Sequence, residues 1–248
     1  QALTREAVRP VAVIDHHRAA GRATAVRFRD VRPGVVASAS IAASYLREQS
    51  IDPGPKLATA VLYAMRTETC GQEFGYSRLD RSILKWATDR AEPTLLAEIE
   101  NAPLDADYFA DLALAIQNTF VYDGAALCLL PRAAGAEVVG EVADLLIRCR
   151  RIRRVLCGAV VDHDLFLSLR TQDDGDNAVD LLYATLNGVG SGGGHLHRAG
   201  AKIPDIGNGP TIADNLQREL RNRWLAACGV SRKQGRRLVA KREIVGNL

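Results

Sequence analysis

Cysteine is scarce in this sequence of 248 residues, and long hydrophobic runs and leader patterns are absent. The five cysteines are odd in number and form no Cys-x-x-Cys pair, which argues against a disulfide framework or a structural zinc site. No apolar run could span a bilayer, and the N-terminus lacks the basic-then-apolar pattern of a signal peptide. The net charge of +3 is too small to indicate nucleic-acid binding by itself. We therefore expect a cytoplasmic protein with no membrane partner.

The distribution of apolar residues predicts an α/β fold. Hydrophobic residues make up 47% of the sequence and charged residues 25%, as in ordinary globular proteins. Residues 10 to 14 read as a short strand buried on both faces of a parallel sheet. Helices follow at 38–48, 55–65, 79–90, 93–100 and 105–118.

The pattern changes near residue 120, where short strands become frequent. An Asp-Gly dipeptide at 123–124 predicts a hairpin turn, and Asp162, His163 and Asp164 are best interpreted as a second hairpin turn. The strands predicted here cover 120–122, 125–130, 154–161 and 165–170, and the helices 137–151, 176–187 and 211–227. We place a domain boundary within 115–135.

The stretch VAVIDHHR, residues 11 to 18, places three ionisable groups directly behind an apolar strand. Open α/β sheets bind ligands at the carboxyl ends of their strands. Imidazole is the commonest metal ligand, and a neighbouring carboxylate can orient it. Asp15, His16 and His17 can converge only if the chain turns after them, which the following RAAGRAT allows. The alternative is a strand end with exposed polar residues.

Two further stretches carry candidate chemistry. RTETCGQEF, residues 66 to 74, presents Glu68 between two threonines whose hydroxyls could hold its rotamer. GVGSGGGHLHRAGAK, residues 188 to 202, holds four glycines within 190–194, so that backbone amides could surround an anion, and His195 ends the run. The first stretch is a weak signal when taken alone, and the alternative for the second is a flexible linker. His197 lines the loop or is simply a surface residue.

Together these motifs resemble those of the DHH/DHHA1 phosphoesterase superfamily. VIDHH matches its name-giving motif, and RTETCGQEF is similar to a later Thr-Asp-Thr motif. GSGGGHLHRAGAKI is similar to the glycine-histidine loop of the DHHA1 domain, and FLSLRT to the strand before that loop. The resemblance implies two domains with the active site in the cleft between them. An N-terminal parallel-sheet DHH domain, metal-binding and catalytic, would lie in part within 1–118. A smaller C-terminal α/β DHHA1 domain with a mixed sheet, substrate-binding and with a basic tail, would cover 119–248.

The resemblance also implies roles for single residues. Two divalent cations, typically Mn²⁺ with Mg²⁺ as the alternative, would generate a hydroxide that hydrolyses a phosphate ester. Asp15, His16 and His17 would be catalytic: His16 as a metal ligand, His17 facing the scissile phosphate and Asp15 orienting the pair. Glu68 stands where the family has a metal-binding Asp. The residues expected to hold the phosphate or nucleotide end of the substrate are Arg170, Gly192, Gly193, Gly194, His195 and Arg198.

Three departures from the family pattern matter. The motif His-x-x-x-Asp-x-Asp and a later strand-end Asp normally precede Asp-His-His, and neither is found, so we expect an N-terminally incomplete chain. Glu68 replaces Asp and adds a methylene, which moves its carboxylate outward. Arg198 replaces the first Ala of an Ala-Ala-Gly motif and adds positive charge beside the expected phosphate.

Basic residues cluster twice outside these motifs. RCRRIRR has five arginines within 148–154. These cations either stabilise the C-terminus of the preceding helix through its dipole or contact a phosphate backbone. SRKQGRRLVAKRE, residues 231 to 243, has six basic residues and suits a solvated tail or a nucleic-acid contact. No aromatic residue interleaves with the second cluster, which argues against base stacking there.

The expected function is Mn²⁺-dependent hydrolysis of phosphate esters of small nucleotides or short oligonucleotides, of the nanoRNase, bisphosphate nucleotidase or exonuclease type. RecJ-like exonucleases are the nearest rival, and the pyrophosphatase branch is disfavoured because it lacks the Gly-Gly-Gly-His loop. The expected partner is a nucleotide or a short single-stranded oligonucleotide, and a homodimer is left open. The alternative is a degenerate family member that binds nucleotides or nucleic acid without turnover, suggested by Glu68 and the missing acidic motifs.

Overall fold

The computed structural model describes residues 10–17, 26–69, 76–206, 212–231 and 234–239. The chain divides into two compact units, one within 1–103 and the other within 104–248. Residues 104–118, expected to close the first domain, therefore belong to the second unit. That unit is also the longer of the two in this chain, whereas the resemblance implies a smaller C-terminal domain. The assignment of domain roles and the cleft between domains remain predictions.

The first unit contains a small parallel sheet. Strand β1 (Ala12–Asp15) pairs with β2 (Phe28–Val31), and Asp15 lies opposite Val31. The parallel arrangement agrees with the prediction, but the expectation that this strand is buried on both faces is wrong. Val11 is 73% exposed and Ile14 is 37% exposed. Within the described residues β1 has only β2 as a neighbouring strand, so apolar side chains remain uncovered.

Four helices complete the described part of the first unit: α1 (Ser38–Glu48), α2 (Gly54–Thr69), α3 (Arg78–Thr88) and α4 (Pro93–Glu100). Helix α3 begins where Ser77 and Asp80 form a capping box, in which each side chain accepts a hydrogen bond from the other's backbone N–H. Proline at the first position of α4 suits a helix start because its missing N–H would have no helical partner. Apolar faces of these helices meet in a core around Met65 and Ile83.

A mixed sheet forms the centre of the second unit. Its strands are β3 (Thr119–Tyr122), β4 (Ala125–Leu130), β5 (Arg154–Val161), β6 (Asp164–Thr171), β7 (Ser191–Gly194), β8 (Arg198–Ile203) and β9 (Arg236–Arg237). They lie in the order β7-β8-β6-β5-β4-β3-β9. The β4–β5 pair is parallel, and the other pairs are antiparallel. The predicted mixed sheet is present.

Both predicted hairpin turns are confirmed. Asp123 and Gly124 have φ of 47° and 89° and join β3 to β4, as expected for a two-residue turn that needs left-handed backbone. Asp162 has φ of 56° in the turn between β5 and β6.

Helices cover both faces of this sheet: α5 (Ala106–Asn118), α6 (Ala136–Leu146), α7 (Ala178–Leu186) and α8 (Asp214–Ala227). Helices α5 and α6 pack on one face, and α7 and α8 on the other. The buried indole of Trp224 donates from Nε1 to the carbonyl of Ala126 at 3.1 Å, which fixes α8 to β4. The predicted α/β class is therefore confirmed. Among the described helices, none combines the length and apolar character that crossing a bilayer requires.

Candidate functional site

Asp15, His16 and His17 follow one another at the carboxyl end of β1. The parallel pairing continues past the strand, because the N–H of Arg32 donates to the carbonyl of Asp15 at 2.9 Å. This bond fixes the backbone from which the acid and the two imidazoles project. The structure thus places the three residues where open α/β sheets present ligands. The turn expected after His17, at 18–25, lies outside the described residues.

Asp15 and His17 form a carboxylate–imidazole pair. Asp15 Oδ1 lies 2.7 Å from His17 Nδ1 and accepts the His17 backbone N–H at 3.0 Å. Burial alone would raise the pKa of Asp15, but hydrogen bonds from the backbone and ring of His17, with the ring's charge, outweigh it and lower the pKa below its usual value. When Nδ1 carries the proton shared with Asp15, the lone pair of the neutral His17 ring lies on Nε2.

His16 brings a second imidazole to the same place. Its side chain is 6% exposed, and its ring centroid lies 4.3 Å from that of His17. Imidazole and carboxylate are donors that Mn²⁺ accepts, so Asp15, His16 and His17 form a ligand set of the chemical kind that divalent ions bind. It is too small a ligand set for two ions.

A second acid lies beside this strand pair, and the sequence analysis missed it. Asp30, opposite Ile14 on β2, accepts two hydrogen bonds from Arg32, with Nε–Oδ1 at 2.8 Å and Nη2–Oδ2 at 2.6 Å. The hydroxyl of Tyr45 on α1 donates to the same carboxylate. Hydrogen bonds from Arg32 and then Tyr45 lower the pKa of Asp30. The network connects β2 to α1 and includes Arg32, whose backbone N–H donates to the carbonyl of Asp15.

Glu68 lies exposed in the last turn of α2. The hydroxyls of Thr67 and Thr69 donate to the helix carbonyls of Ala64 and Met65, at 3.0 Å each, so the expectation that they hold the Glu68 carboxylate is wrong. In the described part of the chain, Glu68 joins no group of three potential ligands close enough to share an ion. Its role as a metal ligand stays a prediction. The rest of its motif, 70–75, lies outside the described residues.

The glycine segment is a strand, not the loop that the sequence predicts. Gly192, Gly193 and Gly194 pair with Ala201, Gly200 and Ala199 in the antiparallel β7–β8 hairpin. A Cβ on Gly194 would lie 2.2 Å from a backbone oxygen, and one on Gly192 2.6 Å from another, whereas a Cβ on Gly193 would meet nothing within 4 Å. The glycines therefore allow close backbone pairing at two positions and leave an open surface at the third. Their contact with a substrate stays a prediction.

His195 occupies the hairpin turn that follows. Its N–H donates to the carbonyl of Arg198 at 2.6 Å, and its ring is exposed. The next two carbonyls in the turn are also bonded: that of Leu196 accepts from Ala178 at 2.7 Å and that of His197 from Thr171 at 3.1 Å. The backbone carrying His195 is therefore fixed to the start of α7 and the end of β6.

Arg170 is held within the protein. Its Nε and Nη2 donate to the two carboxylate oxygens of Asp144 on α6, at 2.7 and 3.1 Å. Nη1 donates to Ser168 and Leu169, and Nη2 also to Gly140. These bonds match the five N–H donors of a guanidinium. The prediction that Arg170 grips a phosphate directly would require it to exchange one of these partners.

Arg198 faces Arg170 across β8 and β6 and shares its carboxylate, with Nη2 3.4 Å from Asp144 Oδ1. Its side chain is 32% exposed, against 12% for Arg170. Gly200 and Gly193 continue this face outward toward the sheet edge, because residues two apart on a strand share a face. Arg198 beside side-chain-free backbone is the arrangement here that best suits an anionic ligand.

The arginines of 148–154 divide into two groups. Arg154 is engaged by Asp173 at 2.9 Å and by Asp176 at 2.5 Å, so it is a structural ion-pair residue. The side chains of Arg148, Arg150, Arg151 and Arg153 are exposed.

The chain is similar to one curated protein over most of its own length. The uncharacterized protein MJ1633 of Methanocaldococcus jannaschii is 31% identical over 193 residues, which are 77% of this chain and 39% of that protein. The chain thus spans well under two thirds of the length of this curated relative. No protein-family model matches the chain.

Two solved structures are also similar. An exopolyphosphatase-related protein from Bacteroides fragilis superposes with a TM-score of 0.66 and 14% identity, covering 87% of this chain and 63% of that chain. RecJ in complex with Mn²⁺ from Thermus thermophilus has a TM-score of 0.38 and 16% identity, over 77% of this chain and 24% of that one, a likeness too low to carry an argument. The first likeness shows a shared fold. The chain therefore shares the fold of this exopolyphosphatase-related protein, in agreement with the resemblance that its motifs predict.

Proposed function

We propose that the chain, alone or within a longer protein, is a DHH/DHHA1 phosphoesterase that hydrolyses phosphate esters of small nucleotides or short oligonucleotides. The observation that carries the proposal is the fixed pair of Asp15 and His17 beside the buried ring of His16. The three residues lie at the carboxyl end of a parallel strand, which is where open α/β sheets bind their ligands.

Each residue of that group has a distinct task in the proposed reaction. His16 would hold a divalent cation, Mn²⁺ or Mg²⁺. A bound cation would neutralise the phosphate charge and lower the pKa of a water molecule. Asp15 fixes the ring of His17 through Nδ1, so that Nε2 would face the phosphate. The expected pair of cations needs ligands beyond this group, for which Glu68 is the candidate carried by the motif.

The second unit would hold the other end of the substrate. Arg198 supplies a partly exposed cation, paired with Asp144, on the sheet face, and Gly193 and Gly200 beside it leave the backbone open to a ligand. Arg170 would act through Asp144, whose carboxylate holds the guanidinium groups of both Arg170 and Arg198. His195, on the anchored hairpin turn, would add a donor at the edge of this surface.

Binding without turnover is the second candidate function. It is supported by the position of Glu68, which is exposed and joins no ligand group among the residues described. A protein of this kind would bind a nucleotide through the Arg198 surface and leave it intact.

One assay separates the two functions. The protein is incubated with Mn²⁺ and, in turn, a 5′-labelled dinucleotide, a 3′,5′-bisphosphate nucleotide and a long single strand. We expect turnover of at least one, about 100-fold or more slower in His16→Ala and His17→Ala, since positioned imidazoles contribute on that scale. Asp15→Asn should cost about 10- to 100-fold as the loss of an orienting partner.

The matched control is His163→Ala, which removes an exposed histidine from the β5–β6 turn and should leave the rate unchanged. Turnover of none of the substrates, or wild-type rates in His16→Ala, would refute the enzyme. Calorimetric binding of the bisphosphate nucleotide that is weakened in Arg198→Ala, without turnover, would establish the binding protein instead.

A further inference from the structure

A cavity of about 460 Å³ lies between the β3–β4 hairpin and α8, and the proposed reaction does not use it. Its lining includes Phe120, Tyr122, Leu127 and Leu129 from the hairpin and Arg218 and Arg221 from α8. Strand residues form an apolar and aromatic floor, and α8 contributes a polar rim with two arginines. The floor belongs to the face that packs α7 and α8, whereas Arg170 and Arg198 alternate onto the opposite face. The cavity is therefore distinct from the surface around Arg198.

The basic C-terminal segment reaches this cavity as a strand. Arg237 pairs with Phe120 and Arg236 with Val121 in the β3–β9 ladder. The guanidinium of Arg237 lies 4.8 Å from the centroid of the Phe120 ring, and its Nη1 donates to the carbonyl of Gln117 at 2.6 Å. The sequence argues against base stacking here because its basic cluster contains no aromatic residue. The fold supplies the missing aromatic from β3, 117 positions earlier in the chain.

Gly235 brings the backbone of the same segment against the second aromatic of the floor. A Cβ at this position would lie 2.5 Å from ring atoms of Tyr122. Only glycine lets the chain run this close to the ring. Arg237 is thereby set directly beside the aromatic floor, whereas Arg236 pairs with Val121 and alternates onto the other face.

Positive charge continues on both sides of the cavity. Arg218 and Arg221 are three positions apart on α8 and so neighbour each other on one helix face. At the far end of the hairpin, the N–H of Arg153 donates to the carbonyl of Gly124 at 2.8 Å, which places the exposed residues Arg151 and Arg153 at the hairpin tip. Three separate chain segments therefore place cations around the β3–β4 hairpin.

We infer that this cavity and its arginines bind single-stranded nucleic acid. A base would enter the cavity against Phe120, and arginines of α8 and β9 would contact phosphates on either side of it. An aromatic face beside a basic groove is the combination that binds single strands with little sequence preference. The distribution of charge over three segments favours a polymer over a mononucleotide.

The test measures binding of a 5′-fluorescein-labelled 12-nucleotide single strand by anisotropy, in EDTA so that no hydrolysis occurs. Arg218→Gln/Arg221→Gln should weaken binding about tenfold or more and reduce the salt slope by about 1.4, since each phosphate contact contributes about 0.7 on single strands. Arg218 is exposed and Arg221 is half-buried on the rim of α8, and an unchanged melting curve verifies the fold of the double variant.

Two further variants examine stacking. Phe120→Leu keeps an apolar floor but removes the aromatic face, and it should weaken binding about fivefold or more, whereas Phe120→Tyr should restore wild-type affinity. Arg90→Gln is the matched control, because Arg90 also lies over an aromatic ring, 5.1 Å from that of Trp86, but in the first unit. It should bind as the wild type does.

Equal affinity and equal salt slope in the wild type and the double variant would overturn the inference, as would no measurable binding by the wild type. Dinucleotide turnover reports on the proposed reaction separately. Loss of 12-mer affinity in the double variant supports the inference even where no variant turns over a dinucleotide. Wild-type turnover with unchanged 12-mer binding refutes the inference and leaves the enzyme intact.

Discussion

Arg170 and Arg198 stand directly opposite each other on β6 and β8, and both guanidinium groups bind the carboxylate of Asp144. Like charges in directly opposed strand positions repel. Asp144, contributed by α6 from outside the sheet, compensates this repulsion. The carboxylate therefore determines both the stability of this sheet face and how much positive charge it presents.

Removal of that carboxylate should destabilise the second unit. We expect Asp144→Ala to lower the free energy of unfolding by about 1–3 kcal/mol, because hydrogen bonds to charged groups are lost and two cations remain opposed. Urea unfolding measures the change. Asp174→Ala removes a carboxylate whose residue is exposed and should stay within about 0.5 kcal/mol of wild type. Equal effects of the two substitutions would mean that Asp144 has no special role.

The glycines of β7 should differ in their tolerance of a methyl group. Gly194→Ala should cost about 1–3 kcal/mol because its Cβ would meet a backbone oxygen at 2.2 Å, which the paired strand cannot yield easily. Gly193→Ala should be nearly neutral in stability, since its Cβ faces open space. Thermal melting of both variants tests this. A larger loss in Gly193→Ala would contradict the register of the β7–β8 hairpin.

Asp30 should make stability depend on acidity. Its pKa lies below the usual value, so the stability that it contributes is present above the unfolded pKa and is lost as pH falls through the folded pKa. We expect Asp30→Asn to melt below the wild type at pH 6–7, with the difference shrinking below about pH 4. Asp89→Asn, which removes an exposed ion pair with Lys85, should show little difference at any pH. A constant Asp30→Asn deficit down to the lowest pH would reject the assignment.

Native thiol reactivity should distinguish the cysteines. Cys128, Cys157 and Cys228 are buried, and burial raises the pKa of the Cys228 thiol to about 12, whereas Cys149 is half-buried. In a Cys70→Ser background, we expect one thiol to react quickly with a chromogenic disulfide and four to react in denaturant. Adding Cys149→Ser should abolish the fast reaction. Fast reaction of a second thiol would indicate that a strand core opens readily.

Local patterns predicted the elements that periodicity and turn chemistry determine. The helices at 38–48 and 93–100 begin and end where the sequence places them, and the Asp-Gly and Asp-His turns join the expected strands. The segment Ser191–Gly194 was beyond this kind of reasoning, because glycine carries no side chain from which strand alternation can be read. Its pairing depends on β8, which holds it in register.

Partners distant in sequence were likewise out of reach for the candidate sites. The Asp15–His17 pair spans two positions and follows from the motif. The bond between Arg170 and Asp144 spans 26 positions, and it gives the arginine a carboxylate partner that its predicted role as a substrate ligand did not include. Nothing in the residues around either member indicates the other, because an exposed acid on a helix is ordinary.

Among the described residues, the outermost strands of the larger sheet have a consequence for the behaviour of the protein in concentrated solution. Strand β9 consists of two arginines, and β7 of one serine and three glycines. A strand from another molecule would meet fixed positive charge at β9. At β7 it would pair with glycines, which offer no side-chain contacts to offset the conformational entropy lost on pairing. Both ends of the sheet therefore resist extension into fibrils, although each leaves hydrogen-bonding groups at the surface.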